Sequence, residues 1–304
     1  MERKKMNKKI IFIIMIAVLL SVGCGKKDPT VPSKQSEQPA KTKGIAIDER
    51  QYLKKTWIRD TDTQFPAGGG LTIVISNIAE GSVKGEVDIV GDGPGYHMDS
   101  AEFEGILNNN TVECQLMNDS RGNKGTITLV FKNDQSIEAS IVITEKSKDT
   151  LIRLPEGTFQ FKPYNLNDIK GLEVIEEQSF LVDLNSWGNV RFVSAKLTAG
   201  DHVPVVFYLT DAAGDILYSF NSNLPYSVDV SAVSFKDLNH DEWKDIIIIA
   251  DNHYNGSSGN PIANVYFQKS DGTFEEDLEL NEKINASGNN KDISAVTNYM
   301  KSMR

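Results

Sequence analysis

Between Trp57 and Phe161 apolar and polar residues alternate, and a period of two confines this stretch to β-strands. Leu71, Ile73 and Ile75 fall on one side of the chain, Thr72, Val74 and Ser76 on the other. Val83, Val87 and Ile89 alternate in the same way with Lys84, Glu86 and Asp88. Ile127, Leu129 and Phe131 share a face, as do Ile137, Ala139, Ile141 and Ile143. Gly, Asn and Asp clusters at 68–70, 91–95, 108–110, 118–123 and 133–134 supply the turns. Short strands with turns about every 8–12 residues predict an antiparallel sandwich or small barrel over residues 46–162. A short helical turn is expected at 48–55, just before Trp57.

Residues 163–178 read as a connector, and a second β-rich domain is expected over 179–304. Its strands are predicted at 179–184, 190–196, 203–210, 216–220, 228–235 and 263–268. Ile246 to Ile249 are apolar on both faces, the mark of a central strand covered on both sides. Ile293, Val296 and Met300 stand at helical spacing, which predicts a short terminal helix capped by Asp292 or Ser294. The fold class is therefore mainly β, with a short C-terminal helix.

The N-terminus predicts an address. Arg3, Lys4, Lys5, Lys8 and Lys9 precede the apolar run 10–20, which is too short to span a ~30 Å bilayer core but suits the h-region of a signal peptide. The stretch Leu20-Ser21-Val22-Gly23-Cys24 resembles the lipobox of bacterial membrane lipoproteins, with Ser21 where that family prefers Leu. The resemblance implies a signal peptide at 1–23, a diacylglyceryl lipid on Cys24 and a protein held on the extracytoplasmic face of the cell membrane. An ordinary cleaved signal or an uncleaved anchor are the alternatives. Residues 24–45 carry Pro29, Pro32 and Pro39, many polar side chains and no aromatic, the composition of a disordered tether.

The whole chain has 32 basic and 42 acidic side chains, a formal charge of −10. Removal of the leader takes away five basic groups and one acidic, leaving −14. Such a balance disfavours nucleic acid as a partner. With Cys24 acylated, Cys114 has no partner for a disulfide, and its place between Val112 and Leu116 predicts a buried thiol. His97, His202, His240 and His253 form no zinc-binding spacing, and no Gly-x-Ser-x-Gly elbow, Ser-x-x-Lys or phosphate-binding loop is found. No motif marks an enzyme.

The segment Asp237-Leu238-Asn239-His240-Asp241-Glu242-Trp243-Lys244-Asp245 sets oxygen-bearing side chains at alternate positions, the pattern from which a curled loop gathers oxygens around calcium. It resembles the acidic loop of FG-GAP and VCBS repeats, Asp-x-Asn-Gly-Asp-Gly-x-x-Asp before an apolar strand. The resemblance implies side-chain ligands at Asp237, Asn239, Asp241 and Asp245 and a carbonyl ligand at Trp243. His240 and Glu242 stand where the repeats have Gly, and without metal the same groups would make Asx turns. Residues 179–304 also resemble the end domain of some lipoproteins of Gram-positive bacteria, a resemblance that implies no particular activity. It rests on the strand 187–194, the acidic loop and a Gly-rich loop at 251–261. In that Gly-rich loop His253, Tyr254 and Asn255 are candidate ligand contacts. Trp57 at the head of the meander resembles the early Trp of lipocalin-like barrels; read alone it is a core residue.

The expectation is a lipid-anchored, non-catalytic binding or interaction module of the cell envelope. Its candidate partners are wall polymer or an envelope protein. A wall-polymer hydrolase and an inhibitor or chaperone-like barrel for exported proteins are the alternatives. Replacing Cys24 by Ala should abolish palmitate labelling and move the protein out of the membrane pellet. A variant that stays equally membrane-bound would exclude the lipid anchor.

Overall fold

Eight antiparallel strands follow one another as a meander: β1 (Thr56–Arg59), β2 (Gly70–Ala79), β3 (Ser82–Val90), β4 (Met98–Asn108), β5 (Thr111–Met117), β6 (Lys124–Phe131), β7 (Ile137–Glu145) and β8 (Gly157–Pro163). The meander closes on itself, because β1 also pairs with β8, with Trp57 opposite Pro163 and Arg59 opposite Phe161. Of the two architectures the alternation allows, the chain adopts the barrel. The structure is a computed structural model and describes residues 48–303 except 67, 93–96, 149–150, 200–202 and 254–258. The leader, Cys24 and the tether lie outside the described residues. No helix among the described residues is long and apolar enough to cross a membrane.

The barrel interior is packed with side chains. Trp57 stacks on Tyr52 with ring centroids 5.5 Å apart, and Phe131 lies 4.6 Å from Tyr52 on its other side. Tyr52 ends a 3-10 turn (Glu49–Tyr52) that closes one end, and its hydroxyl donates to the Lys132 carbonyl at 2.5 Å. Leu71, Ile73, Ile127, Leu129 and Phe161 fill the middle. Two glycines make room for larger neighbours. A Cβ on Gly85 would collide with the Phe103 ring, and one on Gly105 would sit 2.7 Å from the Cys114 sulfur. Cys114 is buried and free, and burial pushes its thiol up to about 12, so it stays protonated.

The chain then builds two more sheets. The first holds β9 (Leu172–Val174), β10 (Phe180–Leu184), β11 (Gly188–Leu197), β12 (Val205–Thr210) and β13 (Ile216–Phe220); β9 and β10 pair with different parts of β11. The second runs in order through β14 (Asp229–Lys236), β15 (Asp245–Asn252), β16 (Asn260–Gln268) and β17 (Phe274–Glu276). Phe192, Phe207 and Phe220 from the first sheet meet Val230, Ile246, Ile248 and Tyr266 from the second in one core. Ile247 and Ile249 point the other way, into a core shared with two helices, α1 (Leu278–Ala286) and α2 (Ile293–Ser302). The four isoleucines thus serve two cores alternately, which is why the run has no polar face.

The terminal helix is capped by Asp292, whose carboxylate accepts the Ala295 N–H at 2.8 Å. Helix α1 was not expected. Its signals are local: Asp277 caps it by accepting the Leu280 N–H at 3.0 Å, and Leu280 and Ile284 are buried one turn apart. Asn281 and Asn285 on this helix accept the N–H groups of Val265 and Ala263, both at 2.8–2.9 Å, and so satisfy the part of β16 that β17 does not cover.

The residues read as a connector are built into the fold. Tyr164 and Ile169 are buried with Ile58 of the barrel and Val193, Ala195, Tyr208 and Ile216 of the first sheet. Backbone bonds cross the same seam: Tyr164 N–H to Thr56 O and Ile216 N–H to Tyr164 O, both 2.8 Å. Lys55 of the barrel side reaches Asp215 at 2.6 Å and Asp211 at 2.9 Å, and Lys54 donates to the Ser186 carbonyl at 2.5 Å. The barrel and the first sheet are therefore held in one fixed arrangement.

Candidate functional site

A groove of about 730 Å³ lies where the outer wall of the barrel meets the first sheet. Pockets that take small ligands commonly measure about 300–1,000 Å³. Its floor is the outward face of β2, β3, β4 and the end of β5, and cross-strand register arranges that face in rows. One row runs Val74, Glu86, Glu102, Met117; the next runs Thr72, Asp88, Ser100. Below them Lys84 faces Glu104 with a 3.1 Å ion pair. The opposite wall comes from β13 and its surroundings, with Leu217, Tyr218 and Ser219, and Phe65 and Tyr164 close one end.

The Tyr218 ring is fixed. Its hydroxyl donates to the Phe274 carbonyl at 3.3 Å and accepts the Phe274 N–H at 3.1 Å, and its ring meets Trp187 and Phe220 edge-on. Burial pushes its hydroxyl upward, as it does that of Tyr164, so both stay neutral.

Electrostatically the floor is unusual. Glu86 faces Glu102 directly across strands, where like charges are destabilising. Asp88 is pushed up to about 7, first by burial and then by the charge and hydrogen bond of Glu86. Glu86 is raised too, by burial and by Glu102. Alternation with Val83, Val87 and Ile89 puts Glu86 and Asp88 on the outer face of the barrel strand, where they stand. No local signal says that a second sheet comes to stand over them.

The acidic loop lies at the other end of the chain, joining β14 to β15 after the last register pair, Lys236 with Asp245. Asp237 organises it. One carboxylate oxygen accepts the N–H of His240 at 2.6 Å and of Asp241 at 3.2 Å, and the other accepts that of Glu242 at 3.1 Å. Asn239 accepts the Asp241 N–H at 3.1 Å, and Asp241 accepts the Trp243 N–H at 2.9 Å. Asp245 is fully buried and accepts Leu238 N–H at 2.8 Å and Gln268 N–H at 3.1 Å. Burial, only partly offset by those two bonds, pushes it up to about 6. His240 and Glu242 adopt φ of 65° and 72°, the left-handed region, at the two places where the FG-GAP and VCBS pattern has Gly. Each costs about 1–2 kcal/mol relative to glycine.

The loop thus takes the expected curl, with its side-chain oxygens turned first to its own amides. Among the described residues no group of three or more His, Cys, Asp or Glu side chains is placed to hold a metal ion. Asp237, Asn239 and Asp241 keep lone pairs beyond those used, whereas Asp245 is committed to the interior.

The Gly-rich loop follows β15. His253 at its start stands 3.2 Å from Asp229, which also pairs with Lys196. Tyr254 and Asn255 lie outside the described residues. Among the described residues, none of this loop or of the acidic loop lines the groove.

Comparison with family models, with curated proteins and with solved structures finds no match to the chain.

The groove carboxylates give a pH dependence of fixed sign. Asp88 is raised above the ordinary carboxylate range, so its contribution to stability is complete at acid pH and is lost as pH rises to about 7. Asp245 acts in the same sense, up to about pH 6. Asp88→Asn should therefore stabilise the protein clearly at pH 8 and hardly at pH 4, as read from urea unfolding at each pH. Equal effects at both would mean that Asp88 titrates normally.

Proposed function

We propose that this protein is a lipid-anchored binding module on the extracytoplasmic face of the cell envelope, and that it holds its ligand in the groove between the barrel and the first sheet. The observation that carries the reading is the groove itself. It is of ligand size, its walls are mostly apolar with a few converging polar groups, and both sides are fixed by the seam through Ile58, Tyr164 and Ile216. A site formed before the ligand arrives spends little binding energy on ordering. A ligand inside the barrel has no such support, because Trp57, Phe131, Leu71 and their neighbours fill that space.

A second reading, cleavage of wall polymer, draws on the same floor. Asp88 retains a proton to about pH 7 beside the carboxylates of Glu86 and Glu102, and an acid beside a base is what glycoside hydrolysis needs. Thermal unfolding of the full chain against low-molecular-weight and polymeric fractions of the envelope separates the two. A ligand at a hundred times its Kd adds about 2.7 kcal/mol to the native state. A binding module should show a raised Tm with an unchanged fraction, and Ser219→Trp, which fills the groove, should remove the shift. New reducing ends in the polymer, lost in Asp88→Asn, would favour hydrolysis. A shift that survives Ser219→Trp would move the ligand elsewhere.

At the acidic loop we propose a structural calcium ion on Asp237, Asn239, Asp241 and the Trp243 carbonyl, supported by the left-handed turns at His240 and Glu242. Its role would be to tie the β14–β15 hairpin, which stands apart from the groove. Millimolar calcium should raise the Tm over that in chelator, and Asp241→Ala should cancel the difference. No rise would leave the Asx-turn network as the sole tie in the loop.

A further inference from the structure

We propose that the groove takes an organic cation, an ammonium or guanidinium group on an apolar body, with the charge seated over Glu86, Asp88 and Glu102 and the body against Leu217, Tyr218 and Met117. The inference rests on the reading of the groove as a binding site and adds the chemistry of its ligand.

Charge complementarity makes the case. The described residues that line the groove include four carboxylates, Glu86, Asp88, Glu102 and Glu104, and one cation, Lys84. Lys84 is already bound to Glu104, so among the described residues lining the groove no other cation faces the three carboxylates above that pair. The same floor shows both arrangements side by side. Lys84 opposite Glu104 is the ordinary cross-strand pairing, whereas Glu86 opposite Glu102 is the repulsive one. A ligand cation would turn the second into the first.

The rest of the lining selects the kind of cation. A hydrated metal ion would need the carboxylates gathered about a point, and no such group exists among the described residues. It would also gain nothing from Val74, Val90, Met98, Met117, Leu217 and the tyrosine rings around it. An organic cation gains from both halves. Its apolar part is removed from water, and its charge lies near aromatic faces as well as carboxylates. The floor also shows what the acids cost when the site is free. Asp88 keeps a proton to about pH 7, with Glu86 and Lys84 on its own strand, Glu102 and Glu104 on β4, and the neutral Tyr164 and Tyr218 on the facing wall. A cation entering the groove would displace that proton, so binding should strengthen as pH rises.

Three probes that share a 4-hydroxyphenyl ring and a two-carbon chain test this: tyramine, 4-ethylphenol and 3-(4-hydroxyphenyl)propanoate, in which the chain ends in an ammonium, in hydrogen and in a carboxylate. Each is titrated calorimetrically into the full chain in a neutral detergent, at low salt, at pH 6 and pH 8. Tyramine should bind at least about tenfold more tightly than 4-ethylphenol, and the propanoate more weakly still, the tenfold being the effect expected of one charge contact. Tyramine affinity should rise from pH 6 to pH 8. Asp88→Asn should flatten that rise, Glu102→Gln should weaken tyramine without changing 4-ethylphenol, and Ser219→Trp should abolish all binding. If 4-ethylphenol or the propanoate matches tyramine and Ser219→Trp still abolishes binding, the groove stands and the cation falls. If none of the three binds, or if tyramine binding survives Ser219→Trp, both fall together.

Discussion

The groove, and the ligand proposed for it, depend on one apolar seam, the contact in which Ile58, Tyr164 and Ile169 pack against Val193, Ala195, Tyr208 and Ile216. A barrel has no free edge and can stand by itself. A two-sheet sandwich with helices on its far side can do the same. What makes a site is their fixed apposition, since the groove has one wall from each. The seam removes Tyr164 and Tyr208 from water, and the half-buried triad of Lys55, Asp211 and Asp215 sits at its margin. An ion pair so placed adds less by its own energy than by direction, because apolar contact does not choose a rotation and a hydrogen-bonded lysine does. Asn165 completes the arrangement by donating to Asp215 at 3.0 Å.

Much of the fold is legible in the sequence because it is encoded locally. Alternation in Leu71–Thr72–Ile73–Val74–Ile75 predicts a strand with one face in the core, and Leu71, Ile73 and Ile75 are buried in the barrel, while the facing sheet also covers Thr72 on the other side. The run Ile246 to Ile249 predicts a strand with none, and its residues divide between two cores. The spacing of Ile293, Val296 and Met300 predicts a terminal helix capped by Asp292 or Ser294, and of the two it is Asp292 that caps it. The choice between sandwich and barrel was not legible, because it turns on whether β1 reaches β8, more than ninety residues away, and nothing in either strand announces that partner. Helix α1 hid for another reason. Its apolar content is Leu278, Leu280 and Ile284 among polar residues, too sparse for a periodic signal, and it is held in part by Asn281 and Asn285 bonding to a strand edge.

The candidate sites divide in the same way. The acidic loop is nine consecutive residues and could be read directly, including the two places where glycine is missing and the backbone turns left-handed nonetheless. The groove is made from β2, β3, β4, β13 and the residues between, so no window of sequence contains it. Glu86 and Asp88 carry no mark that separates them from any exposed acids on a barrel. Their distinction comes from what the later sheet places over them, and it shows only as a proton that Asp88 will not release at the usual pH.

The order of the strands has a consequence for how the chain reaches this state. Every pairing in the three sheets joins strands that are neighbours, or next neighbours, along the chain, with the single exception of β1 with β8. Contacts that are short in sequence form early, and a chain delivered N-terminus first can complete each layer before the next is available. The barrel can shut as soon as Phe161 has appeared. Its outer wall would then already display Ile58 to the incoming sheet. Folding of this kind needs no long search by any late segment, and the last step, the docking of α1 and α2 on Ile247 and Ile249, covers an apolar face that would otherwise be left open to other chains.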